Sequence, residues 1–275
     1  MPKITLKING QEVEVEKGTT ILDSAKEAGI YIPTLFYHPN LPLEEACRIC
    51  VVEVERQRVL QPSCTFPVAE GMVILTESEK VVAARRMVLQ LLFSQRLHYC
   101  MYCSESGNSE DVECELQSLA YRYQLNSWKF APNSQKRWPV DASRSHFVMD
   151  HNRCIMCRRC VRACNEIVAN HTLGIRGRGA RTMIIADDDV PFGESSCVSC
   201  GTCLQVCPTG ALIDRRSAFM GHGPAMERTK TTCMACSVGC GVKAVTRSNV
   251  LHRIEGDWDA ANGGLLCVDG RFTVL

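Results

Sequence analysis

The cysteines constrain this chain more than any other feature of its sequence. There are 18 cysteines in 275 residues, and they fall into five sets with short internal spacings. The sets are Cys47, Cys50 and Cys64; Cys100, Cys103 and Cys114; Cys154, Cys157, Cys160 and Cys164; Cys197, Cys200, Cys203 and Cys207; and Cys233, Cys236, Cys240 and Cys267. No cysteine is left outside these sets, and clustered thiolates are the ligands of iron–sulfur clusters. Because such clusters carry single electrons, the cysteines predict a chain that transfers electrons.

Charge and hydrophobicity exclude several classes of protein. The formal net charge is +1, so no basic excess indicates a nucleic-acid partner. No apolar run approaches the roughly 18 residues of a membrane span, and the stretch from Met1 to Thr5 lacks the apolar core of a signal peptide. We therefore expect no nucleic acid, no membrane span and a cytoplasmic location. Disulfides are rare in that compartment, which favours metal binding by the cysteines.

The third and fourth sets repeat one spacing, C-x2-C-x2-C-x3-C, and Pro208 follows the second run. This double run is typical of two-cluster bacterial ferredoxins, in which the fourth cysteine of each run ligates the other cluster. The predicted [4Fe–4S] ligands are therefore Cys154, Cys157, Cys160 and Cys207 for one cluster, and Cys164, Cys197, Cys200 and Cys203 for the other. Two zinc sites are the alternative, but zinc sites usually pair two short C-x2-C hooks.

The first set follows a stretch that resembles a known family. Tyr31-Ile32-Pro33-Thr34-Leu35-Phe36-Tyr37-His38, with Cys47-Arg48-Ile49-Cys50 after it, resembles the N-terminal ferredoxin-like domain of the large peripheral subunit of complex I. The same module opens iron-only hydrogenases, diaphorase-linked hydrogenase subunits and NAD-linked formate dehydrogenases. In that family a cysteine stands where this chain has Phe36. Three alternatives follow: the cluster is absent, a [2Fe–2S] cluster is held by Cys47, Cys50, Cys64 and His38, or another residue or metal completes the site.

The second set resembles another cluster site of the same family. His98-x-Cys100-x2-Cys103, followed by Cys114-Glu115-Leu116-Gln117, is similar to its histidine-ligated [4Fe–4S] site. The resemblance implies that His98, Cys100, Cys103 and Cys114 hold a [4Fe–4S] cluster. The gap from Ser104 to Glu113 is longer than usual, which a surface loop can absorb.

The fifth set resembles the [4Fe–4S] domain that opens molybdopterin oxidoreductases. The match runs from Cys233-x2-Cys236-x3-Cys240 to Cys267 and on to Phe272, and it implies a cluster on Cys233, Cys236, Cys240 and Cys267. That family usually has a lysine two residues after the last cysteine, where this chain has Asp269. The sequence ends at Leu275, where a pterin domain would begin. We therefore expect a cluster domain without molybdopterin.

Together these features predict an α+β protein of four small units. Lys3–Ile8 and Gln11–Glu16 alternate in polarity around Asn9-Gly10, a strong hairpin signal. The expected units are a plant-type ferredoxin-like, β-grasp domain at 1–78, a His/Cys3 cluster segment at 79–125, a two-cluster ferredoxin domain at 145–216 and a small [4Fe–4S] domain at 228–275.

The resemblance implies a non-catalytic relay subunit with four [4Fe–4S] clusters and neither flavin nor molybdopterin. A [2Fe–2S] cluster is added if a fourth ligand completes the first set. Its expected partners are an NAD(H)/FMN flavoprotein subunit, a small [2Fe–2S] subunit and the catalytic subunit of an NADH-linked, electron-bifurcating hydrogenase. A formate dehydrogenase with a separate pterin subunit is the alternative complex. A fragment of a catalytic subunit is the alternative of a different kind.

Overall fold

The computed structural model of this chain describes residues 2–96, 98, 100–107, 110, 112–127, 129–131, 137–220 and 225–273. Short helices alternate with small sheets in this part of the chain, so the predicted α+β class is confirmed. None of the helices in the described ranges combines the length and apolarity that a membrane span requires.

The N-terminal unit is a five-stranded sheet covered by one helix. Strands β1 (Lys3–Ile8) and β2 (Gln11–Glu16) form the predicted hairpin, and Asn9 and Gly10 take the positive φ values of 52° and 84° that its turn requires. Helix α1 (Ile21–Glu27) begins where the Thr20 side chain accepts a hydrogen bond from the Asp23 N–H. Strands β3 (Val51–Val54), β4 (Gln61–Pro62) and β5 (Val73–Leu75) complete the sheet in the order β2-β1-β5-β3-β4. The first cysteine set lies in the loops beside β3 and β4.

The second unit is built on two helices, α2 (Glu79–Gln95) and α3 (Glu115–Arg122). Ser78 caps α2 by accepting from the Val81 N–H. Arg85 on α2 is fully buried and donates to the carbonyls of Ile49 and Val51 on the first unit. The helix that leads into the second cysteine set is therefore fixed to the N-terminal sheet by a buried charge.

The third unit contains five short strands and two short helices. One sheet has the order β10 (Leu212–Asp214), β7 (Phe147–Asp150), β6 (Val140–Asp141), and β8 (Leu173–Arg176) pairs with β9 (Met183–Ala186). Helices α4 (Arg159–Arg162) and α5 (Thr202–Gln205) lie within the third and fourth cysteine sets. Strand β6 lies before residue 145, where this unit is expected to start. Two residues are too few to show an alternating pattern in the sequence, so this strand has no sequence signal.

The C-terminal unit is an antiparallel sheet of β11 (Glu227–Thr232), β12 (Gly241–Arg247) and β13 (Val250–Gly256). Val242, Ile254 and Leu266 form its small core together with Cys233. The last described turn, Asp269–Thr273, packs back onto the third unit, where Phe272 joins the core around Phe147. The predicted domain at 228–275 extends two residues past the described part of the chain.

Candidate metal centres

Two cavities in the third unit are each lined by four cysteines. The first is lined by Cys154, Cys157, Cys160 and Cys207. The second is lined by Cys164, Cys197, Cys200 and Cys203. Three thiols of one run thus meet the last thiol of the other run in each cavity. The structure brings together the residues that the crossed assignment groups, while their roles as ligands stay a prediction.

Electrostatic effects link the same groups of thiols. Burial raises the pKa of Cys157, and the charges of Cys207 and Cys154 raise it further. Burial likewise raises the pKa of Cys164, to which the charges of Cys200 and Cys197 add. In each cavity the four thiols lie around an open space. In the described ranges, no group of three or more His, Cys, Asp or Glu side chains converges to hold a single metal ion.

The two C-x2-C-x2-C loops share one backbone conformation. Met156 and Ser199, at equivalent positions, both have φ of 55°, and Arg158 and Gly201 follow at 56° and 69°. The N–H groups of Met156 and Ser199 point at the sulfur of the first cysteine in their loops, with nitrogen–sulfur distances of 3.4 Å. Hydrogen bonds to sulfur stabilise a thiolate and are one means by which proteins tune cluster potentials.

Burial decides the protonation state of three of these thiols. It raises the pKa of Cys154 to about 11, and it raises the pKa of Cys160 and Cys203 well above the ordinary range. At neutral pH the thiols of Cys154, Cys160 and Cys203 therefore keep their protons, which iron must displace on binding. Soft, buried, clustered sulfur donors with N–H groups aimed at them fit an iron–sulfur cluster.

His98 in the second unit presents one unpartnered nitrogen. Its ring donates a hydrogen bond to the Leu92 carbonyl, lies edge-on to Phe93 at 5.2 Å between ring centres, and leaves Nε2 buried with no partner among the described residues. Burial, with the charges of Arg96 and Arg153, lowers the pKa of His98 to about 4. The neutral imidazole is the form that binds metal, so His98 fits the role of ligand.

Electrostatic effects link the three cysteines of the second set to one another. Burial raises the pKa of Cys114, and the charges of Cys103 and Cys100 contribute to the rise. Cys103 touches the third unit, because a Cβ built on Gly210 would lie 2.2 Å from its sulfur. The Glu115 N–H also donates to the Pro208 carbonyl at 2.8 Å. The second set is therefore seated against the segment that carries Cys207.

The first set has three cysteines at one cavity, and neither a fourth cysteine nor a histidine is among the described residues that line it. Cys47, Cys50 and Cys64 line this cavity, with 3.4 Å between the sulfurs of Cys50 and Cys64. The Phe36 side chain, at the position where the family has a cysteine, is buried in an apolar cluster with Leu35 and Ile49. Phe36 thus contributes packing to the junction of the units and offers no donor atom.

The contacts of His38 are with residues that do not line the cavity of the first set. Its Nδ1 accepts from the Asn40 N–H at 3.2 Å, and its ring is tilted against Trp258 at 5.5 Å between ring centres. Burial, with the charges of Arg159 and Arg162, lowers the pKa of His38 to about 4. His38 is not among the residues that line the cavity. These contacts do not support His38 as the fourth ligand of a [2Fe–2S] cluster.

Two cysteines of the fifth set, Cys233 and Cys267, lie beside Gly270. A Cβ at this position would lie 3.2 Å from the sulfur of Cys233 and 3.8 Å from that of Cys267, and the Cys233 N–H donates to the Cys240 carbonyl at 2.8 Å. Cys236 and Cys267 are exposed, in contrast to the buried Cys233. Of the five centres, this one therefore presents two of its thiols to solvent.

Buried arginines are the functional residues that the sequence did not reveal. From the sequence alone, the basic run at Arg158, Arg159 and Arg162 is compatible with an offset to cluster charge or with a solvated face. Arg159 and Arg162 are buried; Arg159 holds Glu115 with both guanidinium nitrogens at 2.6 and 2.7 Å, and Arg162 donates to the Phe36 carbonyl at 2.6 Å. A solvated face is therefore wrong for these two, since they join the third unit to the first and second.

Four family models match successive parts of the chain. A 2Fe-2S iron–sulfur cluster binding domain matches residues 1–79, and the iron–sulfur binding region of NADH-ubiquinone oxidoreductase-G matches residues 85–127. A 4Fe-4S dicluster domain matches residues 153–211, and the Fe4S4 domain of molybdopterin oxidoreductases matches residues 226–274. Iron–sulfur domains of both the 2Fe-2S and the 4Fe-4S type thus account for most of the chain.

A crystal structure of an NAD+-reducing [NiFe]-hydrogenase contains a chain that is 32% identical to this one. The two superpose with a TM-score of 0.71 over 79% of this chain and 90% of the other. This chain belongs to the same family of iron–sulfur proteins. The family resemblance inferred from the cysteine motifs is confirmed.

Two curated relatives extend the comparison. One is a component of an NADH-quinone oxidoreductase of Rhizobium meliloti, which is 35% identical over 98% of this chain and 31% of its own length. The other belongs to an NADP-reducing hydrogenase of Solidesulfovibrio fructosivorans and is 40% identical over 78% of this chain and 36% of its own length. This chain therefore spans about a third of the length of these relatives.

Proposed function

We propose that this chain is the iron–sulfur relay of an NADH-linked hydrogenase, with [4Fe–4S] clusters on the second to fifth cysteine sets in the crossed assignment. It would receive electrons from an NAD(H)/FMN subunit and a small [2Fe–2S] subunit and pass them to a catalytic subunit. The observation that carries the proposal is the contact between neighbouring candidate centres. Each cluster, when bound, supplies a one-electron carrier.

The contact between the second set and the first cavity supports one step of the relay. Cys103 lies against Gly210, three residues after Cys207, and the Thr209 hydroxyl donates to the Arg153 carbonyl at 2.8 Å. Arg153 in turn acts on the pKa of His98, after burial and Arg96, and lowers it. Contacts between their segments therefore hold the second cysteine set next to the first cavity.

The two cavities of the third unit are also neighbours. Burial raises the pKa of Cys160, and the charges of its own set and of Cys203 add to the rise. Cys160 and Cys203 both belong to the buried core around Phe147. An apolar surrounding excludes water and weakens dielectric screening, so the charge of one centre is felt by the other.

A second candidate complex is a formate dehydrogenase with a separate pterin subunit. The match of residues 226–274 to the Fe4S4 domain of molybdopterin oxidoreductases favours it. The hydrogenase relative matches 78% of this chain, whereas the NADH-quinone oxidoreductase relative matches 98%. Anaerobic purification of the native complex distinguishes the two, since the formate enzyme would bring molybdenum or tungsten with it and the hydrogenase would not.

Metal content tests the relay itself. Protein purified without oxygen is expected to carry roughly 16 irons per chain, or roughly 18 when the first set also holds a [2Fe–2S] cluster, with an equal amount of acid-labile sulfide. Colorimetric iron and sulfide assays beside elemental analysis for zinc give the numbers. Stoichiometric zinc with little sulfide would contradict the proposal.

Replacement of His98 by cysteine tests the ligand of the second centre. A thiolate adds negative charge to a site that imidazole leaves neutral, so His98→Cys should keep the cluster but lower its reduction potential. A redox titration followed by electron paramagnetic resonance measures the change. An unaltered potential in a variant with full iron content would show that His98 is not a ligand, and His146→Cys, at a histidine stacked on Phe272, serves as the matched control.

A further inference from the structure

Arg271 is a buried cation with no carboxylate of its own among the described residues. It is 4% exposed, and its guanidinium donates to the Cys200 carbonyl at 2.8 Å, to Gln205 Oε1 at 3.0 Å and to the Ile254 carbonyl at 3.3 Å. Its Nη2 has no acceptor in the described part of the chain. All the partners that the structure gives it are therefore neutral.

The carboxylates whose charges act on Arg271 are those of Glu255 and Asp214, and both have other partners. Glu255 pairs with Arg228 at 3.3 Å and Arg253 at 2.9 Å, and Asp214 accepts from the backbone N–H groups of residues 216 and 217. Arg159, by contrast, is neutralised by Glu115 through two contacts. A buried charge without a partner is costly, so the positive charge of Arg271 requires compensation from another source.

The cysteines of the second cavity lie beside this charge. Burial lowers the pKa of Arg271, and the charges of Cys200 and Cys203 are the first to oppose this effect. The side chain also crosses the cysteine loop at close range, since a Cβ on Gly201 would lie 2.3 Å from Arg271 Cδ and 2.8 Å from Nε. Gly201 has a φ of 69° and lies between Cys200 and Cys203. The glycine at position 201 thus leaves space at this point of the loop, and the Arg271 side chain fills it.

We propose that Arg271 is a positioning residue that balances the negative charge of the cluster held by Cys164, Cys197, Cys200 and Cys203 and raises its reduction potential. The inference rests on the proposed function. A fixed positive charge favours the reduced, more negative cluster, and burial keeps solvent and salt from screening the effect. Because Arg271 belongs to the C-terminal unit, the same contacts hold that unit against the third one.

Substitution of Arg271 by glutamine tests the proposal through the reduction potential of this cluster and does not depend on catalytic turnover. At a fixed electrode potential, the ratio of reduced to oxidised cluster is expected to fall tenfold or more, which corresponds to a shift of about 59 mV for a one-electron couple. Arg271→Lys keeps the charge and should shift the potential far less. Arg216→Gln is the matched control, because it removes an exposed arginine that donates to the Phe272 carbonyl of the same turn.

Each outcome decides for or against the role of Arg271. Arg271→Gln with full iron content and unchanged potentials would overturn the proposal. Where Arg271→Gln loses iron, Arg271→Lys decides: iron and potential close to those of the unaltered chain support charge compensation, and an equal loss of iron shows that side-chain shape is what counts and overturns it. A parent chain without reducible clusters would refute the proposed function before any variant is compared.

Discussion

A chain in which Cys154 and Cys207 are both replaced by alanine is expected to lose a single cubane, roughly 4 of 16 irons per chain. These two residues belong to different cysteine runs of the sequence, yet they line one cavity. A cluster that is lost when one ligand is removed cannot be lost again when a second ligand to the same cluster is removed. Iron and sulfide assays on the double variant, beside each single variant, measure this directly.

The contrasting double variant removes Cys197 and Cys207, which lie in the same C-x2-C-x2-C-x3-C run but line different cavities. We expect it to lose two cubanes, roughly 8 irons. If each run instead held its own cluster, the two double variants would exchange results. The pair of measurements therefore decides between crossed and uncrossed ligation. Electron transfer through the third unit should stop in both variants, because each removes a central carrier.

A large effect from a single added carbon is expected at Gly210. In Gly210→Ala the new Cβ would lie 2.2 Å from the Cys103 sulfur, well inside van der Waals contact, so the sulfur or the backbone must move. A displaced Cys103 cannot hold its iron in the required geometry. We expect loss of the second centre, roughly 4 irons, and interrupted electron transfer between the second and third units.

Gly174→Ala is the matched control for this change. Its new Cβ would meet only Ile185 Cγ1 among the described atoms, at 3.7 Å, which is ordinary contact. The control should keep its full iron content and its melting temperature within a few degrees. A Gly210→Ala protein with all its iron and the parent rate of cluster reduction would show that Cys103 does not sit against the third unit.

Local features of this protein follow directly from its sequence. Asn9-Gly10 between two alternating stretches forms the hairpin that these residues predict. The cysteine spacings likewise predict which thiols share a cavity in the third unit. Each of these signals acts over a few residues or repeats a pattern whose geometry is known, so periodicity and spacing carry enough information.

The contacts between units were decided by the tertiary structure alone. Arg162 reaches the Phe36 carbonyl across 126 positions, and Arg271 reaches the Cys200 carbonyl across 71. No periodicity marks such a residue, because an arginine in a short helix or turn looks the same whether its surface is covered or exposed. The environment of His38 belongs to the same class, since a tryptophan from the C-terminal unit lies against it. The sequence by itself determined which thiols form each set; packing between small units determined how the sets adjoin, because these contacts depend on long-range placement rather than on local pattern.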